Sequence, residues 1–389
     1  MISVERMTTW ELKNTFILAM IFALRMLGLF MVLPVLALYA EKMPYATPAL
    51  IGLAAGIYGI TQAVFQLPYG ILSDRIGRKP VIIGGLSLFA AGSLIAAFSH
   101  SIWGLVIGRA IQGAGAIGSP ILALVADITR TEVRTRAMAF IGISIGITFT
   151  LALLLGPLLD AYLGLFGIFS LTAVLSLGGI GLVFLIKSQI TQPANTYIAP
   201  LKSVVERTDL WSLNIGIFAL HALLIACFQV LPLQIEAVSG FSGKEVWRFY
   251  CPVLAISLIL VAPLLRLADS KHQTWLMSSA MLILGMAAMF FVTTTQALVL
   301  NAAVIVFFVA FNFLEASLPA LVARLAPQAG KGAAFGIYSC SQFLGMFCGG
   351  VLGGYVRQLW GTPAIGFLCA CLAIIGWITL RGKYNGQRG

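Results

Sequence analysis

Long apolar runs separated by short polar breaks fill this chain from one end to the other. A segment crossing hydrocarbon takes about 20 apolar residues, and only a helix or a closed barrel satisfies its own backbone there. The runs are continuous rather than alternating, which favours helices over a barrel. They predict twelve spans, near 14–40, 49–73, 80–98, 102–127, 137–160, 165–186, 211–236, 246–268, 274–292, 296–322, 333–355 and 363–380. The breaks carry residues that stop helices: Pro44 and Pro48, Arg78-Lys79-Pro80, Ser99-His100-Ser101, Pro327, and Gly361 with Pro363. One long polar stretch, 187–210, falls at the middle and is predicted to be a linker. The chain then divides into an N-terminal bundle (1–186) and a C-terminal bundle (211–389), an all-α membrane fold.

Composition strengthens this picture. The 389 residues are 60% hydrophobic and 10% charged, against about 25% charged in soluble domains. That is too little polar surface to face water, so lipid must be the solvent. The net charge of +11 would suggest nucleic acid in a soluble protein. Its distribution says otherwise. Of the 24 Lys and Arg, 18 fall in alternate loops beginning with the N-terminus. Four (Lys42, Lys244, Arg248, Arg357) fall in the remaining loops, and Arg25 and Arg109 lie within spans. This is the positive-inside pattern, which predicts both termini in the cytoplasm and anionic lipid headgroups, not nucleic acid, as the basic surface's partner. The six cysteines lie in apolar runs without metal-ligand spacing to histidine, and read as small hydrophobic residues of helices. The first apolar run is too long for a cleavable signal. No cofactor or metal pattern is present.

The two halves repeat one another. Phe30-Met-Val-Leu-Pro34 returns as Phe228-Gln-Val-Leu-Pro232, and Ala123-Leu-Val-Ala-Asp127 as Ala320-Leu-Val-Ala-Arg324. Ala139-Phe140 returns as Ala334-Phe335, and Gly156-Pro-Leu-Leu-Asp160 faces Gly350-Val-Leu-Gly-Gly354. The offsets stay between 194 and 198 residues. Six spans per copy is an even number, so both copies have the same orientation. An axis along the membrane normal would relate them, with a substrate path between.

Few residues can carry chemistry in such a chain. Asp74 and Arg78 are four apart, and with Arg75 and Lys79 they charge a tight turn that Gly70 and Gly77 allow. Arg109, Gln112 and Gly113 share a face of span four, and Gly104, Gly108, Gly115 and Gly118 form a separate small stripe for close helix packing. A buried arginine costs roughly 2.5–3.5 kcal/mol on insertion scales, so Arg109 and the mid-span Arg25 need a partner or water. Arg25 has two readings, contact with an anionic substrate or acid and a structural counter-ion. Arg109 has a structural alternative too, satisfaction by backbone carbonyls. Glu315, inside span ten, is the acid best placed to carry a proton, because burial favours the neutral carboxyl, whereas an arginine partner would favour the charged form. Asp160, predicted to end span five near water, and His221, in span seven, are further candidates. The alternative for His221 is a simple hydrogen bond, and Glu236 reads as a solvated helix end. Gly142, Gly146, Gly156 and Pro157 suit a kinked span five that rocks against its neighbour.

The loop Leu72-Ser-Asp-Arg-Ile-Gly-Arg-Lys-Pro80 resembles the signature loop of the major facilitator superfamily, and the resemblance runs over nearly the whole chain. Leu24-Arg25-Met-Leu-Gly-Leu-Phe-Met-Val-Leu-Pro34 and Phe307-Phe-Val-Ala-Phe-Asn312 look like the YajR-type branch, bacterial inner-membrane proteins related to drug/proton antiporters. The resemblance implies two six-helix bundles, a central cavity and alternating access. It implies that Asp74 approaches the start of span eleven, near Lys331, and that Arg78 pairs with Asp127 to latch the outward-facing state. The string Arg109-Ala-Ile-Gln-Gly-Ala-Gly is similar to the family's span-four motif, whose arginine is associated with proton coupling. Span five is similar to the antiporter motif but ends Gly156-Pro157-Leu-Leu-Asp160-Ala161, without the usual glycine pair. Some relatives carry a soluble domain after the last span; none is expected after Arg381 here.

No phosphate loop is present, so a proton gradient is the expected energy source. The leading function is proton-coupled efflux of a small organic compound by a monomer in the inner membrane. The alternatives are a facilitator or symporter for a metabolite and, more remotely, a non-transporting receptor or membrane enzyme.

Overall fold

The computed structural model describes residues 7–186, 204–241, 243–267, 273–327 and 330–381. Most of the predicted linker lies outside the described residues, as do Arg6, Lys187, Lys202, Lys271, Lys383 and Arg388 of the charge pattern. All regular structure among the described residues is helical. In chain order the spans are α1 (Thr9–Ala40), α2 (Pro48–Ile76), α3 (Arg78–Ala97) and α4 (Ile102–Ile128). The helical stretch Thr131–Leu185 breaks at Gly164 (φ 64°, ψ −176°) into α5 (131–163) and α6 (165–185). Then come α7 (208–239), α8 (Trp247–Leu267), α9 (Gln273–Thr293), α10 (Ala297–Leu325), α11 (Lys331–Trp360) and α12 (Pro363–Arg381). The count is the predicted twelve.

Local chemistry sets the ends. Thr8 and Glu11 form a capping box at the start of α1. Thr47 caps α2 with Pro48 in its first turn, and Ser101 caps α4. Gly361 ends α11 at φ 79° just before Pro363. The repeated Phe-x-Val-Leu-Pro strings mark equivalent breaks. Helix α1 pauses at Val32 before Pro34, and α7 pauses at Gln229 and Val230 before Pro232. Large apolar side chains stand exposed around the outside, among them Ile259, Phe184 and Phe290, with Trp275 and Trp360 near helix ends. This is the lipid-facing surface and aromatic fringe of a membrane protein.

The two six-helix bundles meet unevenly. The face where α1 starts and α12 ends is called here the terminal face, and the opposite one the far face. Near the far face, α2 and α11 touch backbone to backbone. A Cβ added at Gly52 would lie 2.2 Å from the Gly350 carbonyl oxygen, and one at Gly350 would lie 2.5 Å from that of Gly52. Gly59 and Gly354 make similar approaches to Phe343 and Pro48. Polar ties reinforce the seam. The Ala49 amide donates to Gln358 (3.2 Å) and Arg357 pairs with Glu41, while within the C-terminal bundle the Gln229 side chain donates to the Gly350 carbonyl (3.0 Å). Toward the terminal face the helices part. Nothing lies within 4 Å of a Cβ built on Gly332 or Gly336 of α11, or on Gly142 or Gly146 of α5.

All six cysteines are free thiols, with Cys227 and Cys369 buried and their sulfurs 3.5 Å apart. The glycine seam yields a direct expectation. Gly350→Ala forces a methyl into the Gly52 backbone, an overpacking that costs about 1–3 kcal/mol, and lowers the thermal unfolding midpoint of the protein in detergent. Gly142→Ala faces open space and leaves that midpoint equal or higher. Equal losses in the two variants would show that the seam is not tight.

Candidate functional site

The charged turn lies at the terminal face. Gly77, at φ 98°, ends α2 and lets α3 begin at once with Arg78. Arg78 pairs with Asp74, donates from Nη1 to the Ser73 hydroxyl (2.7 Å) and meets Asp127 of α4 at 3.0 Å. Ser73 in turn donates to the Gly70 carbonyl (2.7 Å), and Gly70 faces Ser119 of α4. Lys79 donates to the Ile186 carbonyl at the end of α6, and Arg75 is exposed. These bonds bind α2, α3, α4 and α6 to one another. The carboxylate of Asp74 turns to Arg78 of its own bundle, and a Cβ added at Gly332 or Gly336 near the start of α11 would meet nothing within 4 Å.

Deeper in the N-terminal bundle, Arg25 and Arg109 are both fully buried. Their guanidinium carbons lie 5.8 and 5.2 Å from the centroid of one ring, that of Tyr58 in α2. Arg25 also lies over Phe89 at 5.1 Å and donates to Gln62, which bonds on to Gln66 (3.0 Å). Arg109 donates to Gln112 (2.9 Å), which donates to Ser93 of α3 (2.7 Å). Gly113 lets α4 close on α2, since a Cβ there would lie 2.3 Å from the Tyr58 carbonyl oxygen. The small stripe is split: Gly108 and Gly115 face α3 at Gly92 and Gly85, whereas Gly104 faces Ser99 and Gly118 faces Gln66.

The C-terminal bundle holds the opposite chemistry. Glu315 of α10 has its carboxylate 3.7 Å from His221 Nε2 of α7, and its side chain is 16% exposed. The Gln342 amide of α11 donates to the same nitrogen (2.8 Å). His221 Nδ1–H then donates to the Ile217 carbonyl (3.3 Å), which fixes a neutral imidazole. Tyr338, one turn before Gln342, lies within electrostatic reach of Glu315. The His221 ring sits edge-on to Phe311, which tilts against Phe149 of α5 and so closes the space between the bundles at mid-depth.

Asp160 corrects an expectation. The sequence placed it beside water at the end of span five, yet it is only 1% exposed. Helix α5 runs on past it, and Tyr39 bonds its carboxylate while Lys42 and Lys244 lie within electrostatic reach. Lys244 comes from the other bundle, so the far-face closure covers this acid. Gly156 abuts α1 at its break, where an added Cβ would lie 2.2 Å from the Met31 carbonyl oxygen, and Pro157 follows inside the helix. Glu236 is half-buried near the end of α7.

Residues not singled out from the sequence complete both clusters. Tyr58, Gln62 and Gln66 stand four apart on α2, and Tyr338 and Gln342 stand four apart on α11. That spacing of polar groups along an apolar helix is the signal that marks them, because i, i+4 positions share a face.

Comparison with known proteins gives a consistent result. Residues 18–345 match the Major Facilitator Superfamily. The chain is 44% identical to the inner membrane transport protein YajR of Escherichia coli, over 96% of this chain and 84% of that one. It is 27% identical to the multidrug resistance protein MdtH of Aeromonas salmonicida, over 85% of this chain and 84% of that one. Among solved structures, a bacterial homologue of the human lysosomal transporter Spinster superposes with a TM-score of 0.74 at 14% identity, covering 97% of this chain and 93% of its own. The human organic anion transporter MFSD10 superposes at 0.68 with 18% identity, covering 95% and 99%. These proteins are transporters rather than enzymes, and the chain belongs to the major facilitator superfamily of membrane transporters.

Proposed function

We propose that this transporter exports a small organic compound in exchange for protons, as a monomer in the bacterial inner membrane with both termini in the cytoplasm. The terminal face is then the cytoplasmic face. The arrangement described is the inward-facing form, closed by the glycine seam, Arg357–Glu41 and Ala49–Gln358 at the outer side. Residues 1–186 and 211–389 are the two rocking units, and 187–210 is their cytoplasmic linker.

The observation that carries proton coupling is Glu315. It sits within a span, beside a neutral histidine, and its described neighbours include no lysine or arginine. A carboxyl within a span and without a cation is a group that can carry a proton and hand it on when water or a cation arrives. His221, Gln342 and Tyr338 give that proton polar neighbours. Asp160, covered by the outer closure, is a second acid that opening would bring to water. The turn at Asp74 is the latch of the opposite state. With α11 apart, its Asp74 and Arg78 pair within their own bundle, and swinging α11 inward would bring a helix N-terminus toward Asp74. Gly156 and Pro157 serve as the hinge of α5 against α1. The similarity to YajR and MdtH supports transport and leaves the cargo open.

Vesicles with an imposed pH gradient test the coupling. Substrate flux should move protons in the opposite direction, and collapsing the gradient should raise cellular accumulation of the substrate. Unchanged accumulation rejects proton-driven efflux. Glu315→Gln is expected to cut gradient-driven flux roughly 5–150-fold, the range of an ordinary coupling free energy, while substrate exchange without a gradient persists. Undiminished driven flux in that variant would place the proton elsewhere. Asp74→Asn removes the latch charge and should shift access toward the inward-facing form, read by labelling from each side of the membrane. A wild-type balance in that variant rejects the latch.

A further inference from the structure

The N-terminal bundle buries two positive charges around the ring of Tyr58 and, among the described residues, gives them no negative partner. Arg25 and Arg109 are both at 0% exposure, and their guanidinium carbons lie 5.8 and 5.2 Å from the centroid of the Tyr58 ring. Their described polar partners are neutral: Gln62 and the Tyr58 hydroxyl for Arg25, Gln112 and the Ala54 carbonyl at 3.4 Å from Nε for Arg109. The next neighbours, Gln66 and Ser93, are neutral as well. The donors are also underused. Arg25 Nε and Nη1 and Arg109 Nη2 are buried without a hydrogen-bond acceptor. A guanidinium has five N–H donors and no acceptor, so an anion is the group that satisfies both the charge and the idle donors.

From this we infer that Arg25 and Arg109 jointly bind one small anionic group, either a monovalent inorganic anion or a carboxylate carried by the transported compound. The site is preorganised. Gly113 holds α4 against Tyr58, Gln112 with Ser93 ties α4 to α3, and Gln62 of α2 accepts from Arg25, so both guanidiniums keep station with α2. Its cover is the seam. The Tyr58 ring lies 6.0 Å from that of Phe343 on α11, so parting α2 from α11 uncovers the pair. The anion therefore binds the form in which the seam is open, and its binding favours that form. The inorganic case stands without the transport mechanism proposed above. The carboxylate case rests on that mechanism's substrate path and narrows the cargo to organic anions.

Thermal unfolding of the purified protein in detergent tests the site without any gradient, so its result is separate from that of the proton-coupling assay. Chloride and benzoate serve as probes, with gluconate holding ionic strength constant. At least one of them should raise the midpoint saturably. In Arg109→Gln the concentration giving half the shift should rise roughly tenfold or more. Arg25→Lys keeps the charge but loses the fork, and should retain the fold with weakened binding. Benzoate counterflow in proteoliposomes assigns the site to the cargo's carboxylate, and a chloride shift without chloride or benzoate flux assigns it to a resident counter-anion. No saturable shift with either anion in the unmodified protein overturns the site. So does a shift that is unchanged in both variants.

Discussion

The close approach of α2 and α11 at Gly52, Gly56, Gly59, Gly350 and Gly354 is the contact on which the arrangement of the two bundles rests. Lipid tails are as apolar as the helices, so no hydrophobic drive pushes the bundles together. Dispersion between closely fitted backbones and a few polar ties must hold them. Such contact is steep in distance. It is strong along the turns where glycines let the backbones touch and falls away as the helices diverge beyond them. That steepness explains how the same pair of helices can be joined near Gly350 and free near Gly336. It also explains why the polar ties between the bundles, Arg357 to Glu41 and Ala49 to Gln358, lie at the same end.

Among the described residues, the two buried arginines and the acid–histidine pair lie in different bundles. Arg25 and Arg109 sit without an acid among α1 to α4, Glu315 sits with His221 but without an arginine among α7, α10 and α11, and the buried Asp160 of α5 lies apart from both beneath the far-face closure. Had the two sets been paired in one bundle, the charges would have neutralised each other and fixed a static core. Kept in separate bodies, each set stays reactive toward something that arrives from outside. In the function proposed above, the proton at Glu315 and the anion at Arg25 and Arg109 fall to different halves of the protein. Tyr58 and Phe343, one from each half, are where the halves press together over the arginines.

Much of this was legible from residues alone. Twelve spans follow from run length, and the equivalent breaks at Val32 and Val230 follow from the repeated strings ending in Pro34 and Pro232. The turn at Gly77 follows from its glycine and its charges. What resisted reading was rotation. These helices are apolar nearly all round, so periodicity does not reveal which face meets which neighbour. His221 and Glu315 are 94 residues apart, and nothing local says that they face each other. Asp160 was misread for a related reason: the end of a span implies water only when no second bundle folds over it. The polar stripe of Tyr58, Gln62 and Gln66 was readable by its spacing, but its meaning depends on arginines from two other helices.

The junction between α5 and α6 has a mechanical consequence. Gly164 alone turns the chain there, with helix on either side of it and the Tyr39 hydroxyl 3.5 Å from where a side chain would begin. A connection one residue long has no slack. Any tilt of the fifth helix must reach the sixth as a displacement of nearly equal size, with only two torsion angles to absorb the difference. The corner therefore acts as a rigid crank, and lengthening it by a few flexible residues would uncouple two helices that are now obliged to move together.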